Sequence, residues 1–191
     1  MAQQLTLDGV NTAIMGRDKL LVAIYPEVPG PSRIETIARN LRAVHGLTGN
    51  LRKTEIFHIT LCDMGDYDGL PKDIVDRAKE AAATVKARSF EVTLDRAMSF
   101  RGSGAYVLLA RESDTTLKAF RESLFTALKI HGPICQIAPG FTPHVTMLYA
   151  DHLVPEHPIE PLSWKVREFV LIHSLLGQTK HIPLARWPLS D

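Results

Sequence analysis

Cysteine is scarce: Cys62 and Cys135 are the two thiols in 191 residues. Two isolated thiols make neither a disulfide framework nor a zinc cluster. Cys62 follows the apolar Leu61 and reads as a small packing residue rather than a nucleophile. Long hydrophobic runs are missing too, and nothing approaches the ~18 apolar residues of a membrane-spanning helix. Met1 to Arg17 lacks a basic start followed by an apolar stretch, so no secretory leader is expected there. An excess of either charge is also absent. The formal net charge is +1, which excludes a global polycation that binds nucleic acid non-specifically. Any anionic ligand has to be met by a local basic patch. What remains is an ordinary globular composition, 45% hydrophobic and 23% charged. The expected organisation is a flexible lead-in over 1–17 and one domain over 18–191, cytoplasmic, without membrane association and monomeric.

What is present is a short pattern that occurs twice. Phe57-His58-Ile59-Thr60-Leu61 is followed, 86 residues later, by Pro143-His144-Val145-Thr146-Met147. With 8 His and 14 Thr in the chain, chance alone supplies about 0.6 His-x-Thr matches, so context has to carry the signal. Strand parity is one such context, because side chains alternate faces along a strand. His58 and Thr60 share one face, while Phe57, Ile59 and Leu61 share the other. His144 and Thr146 likewise oppose Val145 and Met147. Each copy reads as a strand with a chemical face and a core face.

The same offset of 86 recurs elsewhere. Leu20-Leu21-Val22-Ala23-Ile24 shifts onto Tyr106-Val107-Leu108-Leu109-Ala110, and Ile34 to Gly46 shifts onto Phe120 to Gly132. Both of the latter segments look helical and end in His-Gly, with glycine where a C-cap belongs. The order strand, helix, His-x-Thr strand therefore appears twice.

A pass along the chain predicts a strand over Asp18 to Glu27 and a helix from a Ser32 cap to about His45. It predicts an acidic turn over Asp63 to Gly69 and a helix over Leu70 to Arg88. Phe90 to Phe100 and Ala105 to Ala110 read as a hairpin, and Thr115 to His131 as a third helix with a core stripe of Leu117, Phe120, Leu124 and Leu128. A break is expected at Pro139-Gly140. A Pro-rich loop through Pro155, Pro158 and Pro161 follows, then a closing hairpin of Val166 to Leu176 and Lys180 to Trp187. This mixture favours an α+β fold with antiparallel sheet.

Together these residues resemble the two-histidine phosphoesterase superfamily, and within it the RNA 2′,3′-cyclic phosphodiesterases, also called 2′-5′ RNA ligases. The resemblance spans about Lys19 to Leu189. Besides both motifs it rests on Leu20-Leu21-Val22-Ala23-Ile24, on Phe141-Thr142-Pro143, on Leu171-Ile172-His173-Ser174 and on Trp187-Pro188-Leu189. It implies a bilobal fold of two pseudo-symmetric halves, with mostly antiparallel sheets enclosing a central groove and helices outside. The chain departs from many relatives at Leu148-Tyr149-Ala150, where they carry an arginine, and at His181, where they carry a tyrosine.

The implied activity is hydrolysis of 2′,3′-cyclic phosphate ends of RNA or nucleotides to 2′-phosphates, with 2′-5′ ligation as a side activity. Histidine suits both proton transfers because its ordinary pKa lies near 6.5. The resemblance assigns His58 as acid to the ribose 2′-oxygen and His144 as base for water. Thr60 and Thr146 would bond the non-bridging oxygens. No metal or cofactor is expected, since two imidazoles cover both proton transfers. Tyr149 has the parity of the core residues Val145 and Met147, although its place next to the motif also suits base stacking. Phe141 has the same two readings. Arg52, Lys53, Arg96, Arg101 and Lys180 are candidate phosphate or RNA-backbone contacts.

The other histidines read as structural. His45 and His131 close helices, His152 and His157 are expected in solvent, and neither His173 nor His181 is expected to be catalytic. The competing readings are a nucleotide- or RNA-binding module without turnover, and a phosphodiesterase for a different cyclic or 2′-5′ diester. A histidine-triad nucleotidyl hydrolase would need a His-x-His-x-His run, which the chain lacks. Two histidines on separate strands make a weak metal site.

Overall fold

The computed structural model describes residues 18–112, 115–131 and 141–191. The expected lead-in over 1–17, Gly132, Cys135 and the break at Pro139-Gly140 lie outside them. The order is β1 (Asp18–Ile24), α1 (Gly30–Val44), a 3₁₀ turn (Thr54–Ile56), β2 (Ile59–Tyr67), α2 (Lys72–Ala83), β3 (Phe90–Ser99) and β4 (Ala105–Ala110). Then come α3 (Thr115–His131), β5 (His144–Tyr149), β6 (His157–Val166), β7 (Glu168–Leu175) and β8 (Lys180–Pro188).

All eight strands join one sheet in the order β6-β3-β4-β5-β2-β1-β7-β8, and every strand pair is antiparallel. The order is a mirror about its middle. β2 and β5 meet at the centre, β1 and β4 flank them, and β7 and β3 come next. The 86-residue repeat is thus a two-fold relation in space: β1, α1 and β2 correspond to β4, α3 and β5. β2 and β5 pair through one register pair, Ile59 opposite Val145.

The main core lies between the sheet and the helices. It takes Ile34 and Ala38 of α1, Ala78 and Ala82 of α2, and the predicted α3 stripe of Leu117, Phe120, Leu124 and Leu128. The opposite face of the sheet carries two small apolar clusters. Leu21, Ala23, Val170 and Ile172 form one on β1 and β7; Ala105, Val107 and Leu109 form the other on β4. β1 and β4 are therefore apolar on both faces, which is why they read as continuous hydrophobic runs.

Several boundaries differ from expectation. α1 starts at Gly30, and Pro31 takes the first-turn place, so Ser32 lies inside the helix rather than capping it. Its end follows the glycine expectation: Gly46 has φ +62°, and Leu47 N–H donates to Arg42 O at 3.0 Å. β2 runs on through the segment expected to turn, because Lys19 on β1 pairs with Asp63 at 2.8 Å and Asp66 at 2.9 Å. α2 ends at Ala83. The chain beyond it is drawn off to the C-terminus, where Arg88 bridges Ser190 and Ser89 N–H donates to Ser190 O at 2.6 Å. The Pro-rich segment is a strand, not a loop. Pro158 and Pro161 sit on β6 at the sheet's edge, where a missing N–H leaves no ladder bond unmade.

Candidate active site

The central strand pair builds the site. Counting from Ile59 opposite Val145, the antiparallel register sets His58 across from Thr146 and Thr60 across from His144. Residues directly opposite share a face with Cβ atoms about 4.5–5.5 Å apart. The two motifs therefore form one rectangle, with each imidazole beside the other motif's hydroxyl. Ile59, Leu61, Val145 and Met147 are buried on the reverse side, as parity predicts. The core face thus holds the chemical face in register.

The two imidazoles are tethered alike. His58 Nδ1 lies 2.7 Å from Ile56 O, and His144 Nδ1 lies 2.7 Å from Thr142 O. A carbonyl only accepts, so each neutral ring carries its proton on Nδ1 and presents a bare Nε2. Neither Thr60 nor Thr146 spends its hydroxyl on a partner among the described residues. The site thus offers two Nε2 atoms that accept or deliver protons and two hydroxyls free to donate.

The rings differ in what surrounds them. Burial pushes His58 down to about 4, and the positive charge of nearby His181, Arg52 and His144 adds to this against the pull of the Ile56 bond. His144 is lowered by burial alone, opposed by its bond to Thr142. His58 packs edge-to-face on His181, with ring centroids 4.8 Å apart and planes at 74°. His144 packs the same way on Phe100, at 4.7 Å and 78°. His181 in turn has Nδ1 3.0 Å from Tyr25 Oη. Burial lowers His181 to about 4, with Arg52 adding to it, and raises Tyr25 to about 12. His181 was expected to be non-catalytic, although the resemblance set it where many relatives carry a tyrosine. It comes from a strand 123 positions after His58, so no local pattern could have revealed it.

Arg52 is delivered by a loop that lies along β5. Leu51 bridges Leu148, and Arg52 N–H donates to Met147 O at 2.8 Å. The approach is so close that a Cβ at Gly49 would stand 1.9 Å from Tyr149 O. The Arg52 guanidinium lies 5.8 Å from the centre of the Tyr149 ring.

Tyr149 corrects the parity expectation. Register slips between the Tyr106–Leu148 and Val107–Thr146 pairs, so a bulge sends Leu148 into the core and leaves Tyr149 53% exposed. Phe141 is half-buried under the Arg121 guanidinium, 4.2 Å from its ring centre. It lines a cavity of about 510 Å³ beside the second motif, together with Phe100, Thr142 and Pro143.

The basic candidates separate. Arg96 is taken up by Glu156 at 2.7 Å and Glu112 at 3.3 Å, and is not free for phosphate. Arg101, Lys53 and Lys180 are exposed, and no contact among the described residues ties them to the imidazoles. His157 is not simply solvated. Its ring packs on His45 at 4.9 Å, and Nε2 lies 3.4 Å from Tyr106 Oη. His173 is buried against Asp18. Among the described residues, no group of three or more His, Cys, Asp or Glu is placed to hold a metal, and no helix is long and apolar enough to cross a membrane.

Comparison with known proteins agrees with this geometry. The model of the 2′-5′ RNA ligase superfamily matches residues 29–178. No curated protein matches the chain. E. coli LigT complexed with 3′-AMP is 25% identical with a TM-score of 0.72, over 91% of this chain and 99% of that one. A phosphoesterase superposes at a TM-score of 0.74 with 24% identity, over 92% and 99%. TT0787 of Thermus thermophilus shares the fold at a TM-score of 0.70 and 18% identity, over 90% and 97%. With its paired His-x-Thr strands and the family match over most of its length, the chain belongs to the 2′-5′ RNA ligase superfamily, whose members are two-histidine phosphoesterases.

Proposed function

We propose that this chain is a metal-independent phosphodiesterase that opens 2′,3′-cyclic phosphate ends of RNA or nucleotides to 2′-phosphates. The observation that carries the reading is the pair of identically tethered imidazoles. Both present a bare Nε2 on one face of two adjoining strands, each opposite a threonine hydroxyl. An in-line displacement at phosphorus needs a base on one side and an acid on the other, and this arrangement supplies both. That E. coli LigT binds 3′-AMP and phosphate supports a nucleotide phosphate as the occupant.

One imidazole takes a proton from water as its oxygen bonds to phosphorus. The P–O3′ bond breaks, and the other imidazolium gives its proton to O3′, leaving the phosphate on O2′. A 2′-phosphate product thus sends the acid's proton to O3′, which corrects the expected delivery to the 2′-oxygen. Thr60 and Thr146 donate to the non-bridging oxygens as charge builds there. Each positioned proton transfer is worth about 10² to 10⁴ in rate.

In the free protein burial holds both rings neutral at pH 7. A bound phosphodiester anion favours the imidazolium, so binding takes up a proton, which settles on the less depressed ring, His144. This favours His144 as acid and His58 as base, the reverse of the roles the resemblance assigns. The test is hydrolysis, with EDTA present, of an oligoribonucleotide ending in a 2′,3′-cyclic phosphate. Wild-type turnover to a 2′-phosphate end, lost in His58→Ala and His144→Ala, is the expected result. A folded wild type that turns over neither this end nor a cyclic mononucleotide contradicts the reading.

A further inference from the structure

The two halves of the site are related by the repeat, yet they place chemically different rings on their imidazoles. His58 meets His181 and His144 meets Phe100, in nearly the same edge-to-face geometry. Phe100 has no polar side-chain atom to offer a substrate. His181 has one.

Its Nδ1 lies 3.0 Å from Tyr25 Oη. The phenol O–H is taken as the donor to Nδ1, its one acceptor among the described residues. Neutral His181 then carries its proton on Nε2. This is the opposite tautomer to that of His58 and His144, whose Nδ1–H groups are spent on the Ile56 and Thr142 carbonyls. Nε2 of His181 has no partner among the described residues. His58 therefore presents a lone pair, and the ring packed against it presents an N–H.

Arg52 lies close enough to act on both rings electrostatically. The His58 side of the site thus gathers a guanidinium and an imidazole N–H. On the His144 side Phe100 and Met98 pack on the β4 cluster of Ala105, Val107 and Leu109, and the cations of the adjoining cavity are engaged, Arg96 by Glu156, Arg111 by Asp95 and Lys118 by the Glu112 carbonyl. Of the two rings packed on the motif histidines, the one beside His58 alone carries a side-chain N–H.

We propose that His181, held by Tyr25, donates its Nε2–H to a non-bridging phosphate oxygen of the substrate on the His58 side, and so fixes which way round a phosphodiester lies in a pseudo-symmetric site. His181 is a substrate-binding donor and cannot serve as a second base while Tyr25 holds it. The inference rests on the phosphodiesterase reading, because it takes a cyclic phosphate as the ligand.

The experiment compares wild type, His181→Phe, His181→Gln and Tyr25→Phe on adenosine 2′,3′-cyclic phosphate. Nitrogen-15 imidazole spectra of the wild type read the tautomers without any variant. His181→Phe makes the two halves alike. It is expected to lower kcat/KM about 10- to 100-fold, the range for a hydrogen bond to a charged group. The loss should fall on KM, since the oxygen is charged in substrate and transition state alike. His181→Gln, whose amide nitrogen reaches the Nε2 position, is expected to recover most of it, and Tyr25→Phe to fall between. The spectra are expected to show the proton on Nε2 in His181 and on Nδ1 in the two motif histidines.

Wild-type turnover with a fully active His181→Phe variant overturns the inference and leaves the phosphodiesterase reading standing. A proton on Nδ1 of neutral His181 overturns it equally. Absence of wild-type turnover overturns the reading itself, and with it the substrate role of His181.

Discussion

The two halves of this molecule share a backbone plan and differ in the chemistry around their imidazoles. In both, a strand, a helix and a second strand bring a histidine to the centre of the sheet, with Nδ1 tied to the carbonyl two residues back. Around His58 stand Tyr25, Arg52 and His181; around His144 stand Phe100 and an apolar wall. Duplication supplies two imidazoles in equivalent positions. In the proposed mechanism the divergence of their neighbours decides which of them holds the proton. Equivalence in position need not mean equivalence in role.

The largest effect should come from removing what the halves share. His58→Ala and His144→Ala are each expected to lower kcat by about 10² to 10⁴, with folding retained by circular dichroism. Replacing the leaving oxygen of the substrate by sulfur, which departs without a proton, then separates the halves. His144→Ala is expected to recover rate on that substrate and His58→Ala to stay slow. Recovery in His58→Ala would exchange the two roles.

Thr60→Val and Thr146→Val should cost on the order of 10² each in kcat, the range for losing one donor to a developing oxyanion. Steady-state kinetics at fixed pH would show whether the two hydroxyls are as equivalent as their register implies.

A smaller effect tests how the loop places Arg52. Gly49→Ala puts a Cβ where the Tyr149 carbonyl stands, so the loop has to shift. The expected result is a loss of ~1–3 kcal/mol of stability, as for other overpacked sites, with a raised KM. Denaturant titration and initial-rate kinetics check both.

A separate effect is on stability against pH. His58 and His181 lie near 4 in the folded protein, against an ordinary value of 6.5. Below 6.5 the unfolded chain takes up protons that the folded one refuses, so stability present above about 6.5 is lost as pH falls toward 4. The melting temperature is expected to drop across that window. His181→Phe should flatten the drop by removing one of the two groups, which thermal melts at about pH 7, 6, 5 and 4.5 would show.

Much of the fold was legible because the repeat is local. α3 and β4 fall on their expected residues, and both His-x-Thr strands carry their core residues on the predicted face. What was not legible depended on partners distant in sequence. β6 reads as a loop until its edge position makes Pro158 and Pro161 harmless. The acidic end of β2 reads as a turn until Lys19 is seen to neutralise it. Tyr149 was misplaced because parity counting has no knowledge of a bulge set by β4. The same limit applies to the site. The motif histidines announced themselves, whereas His181 was marked only as a departure from the relatives' tyrosine, and its contact with His58 comes from tertiary folding.

The most direct measurement is phosphorus NMR of adenosine 2′,3′-cyclic phosphate turned over in heavy-oxygen water with EDTA present, by wild type and the two alanine variants. Two imidazoles acting across the β2–β5 pair should yield a 2′-phosphate carrying one heavy oxygen, formed by wild type alone. A 3′-phosphate product, or equal turnover by either variant, would contradict that mechanism.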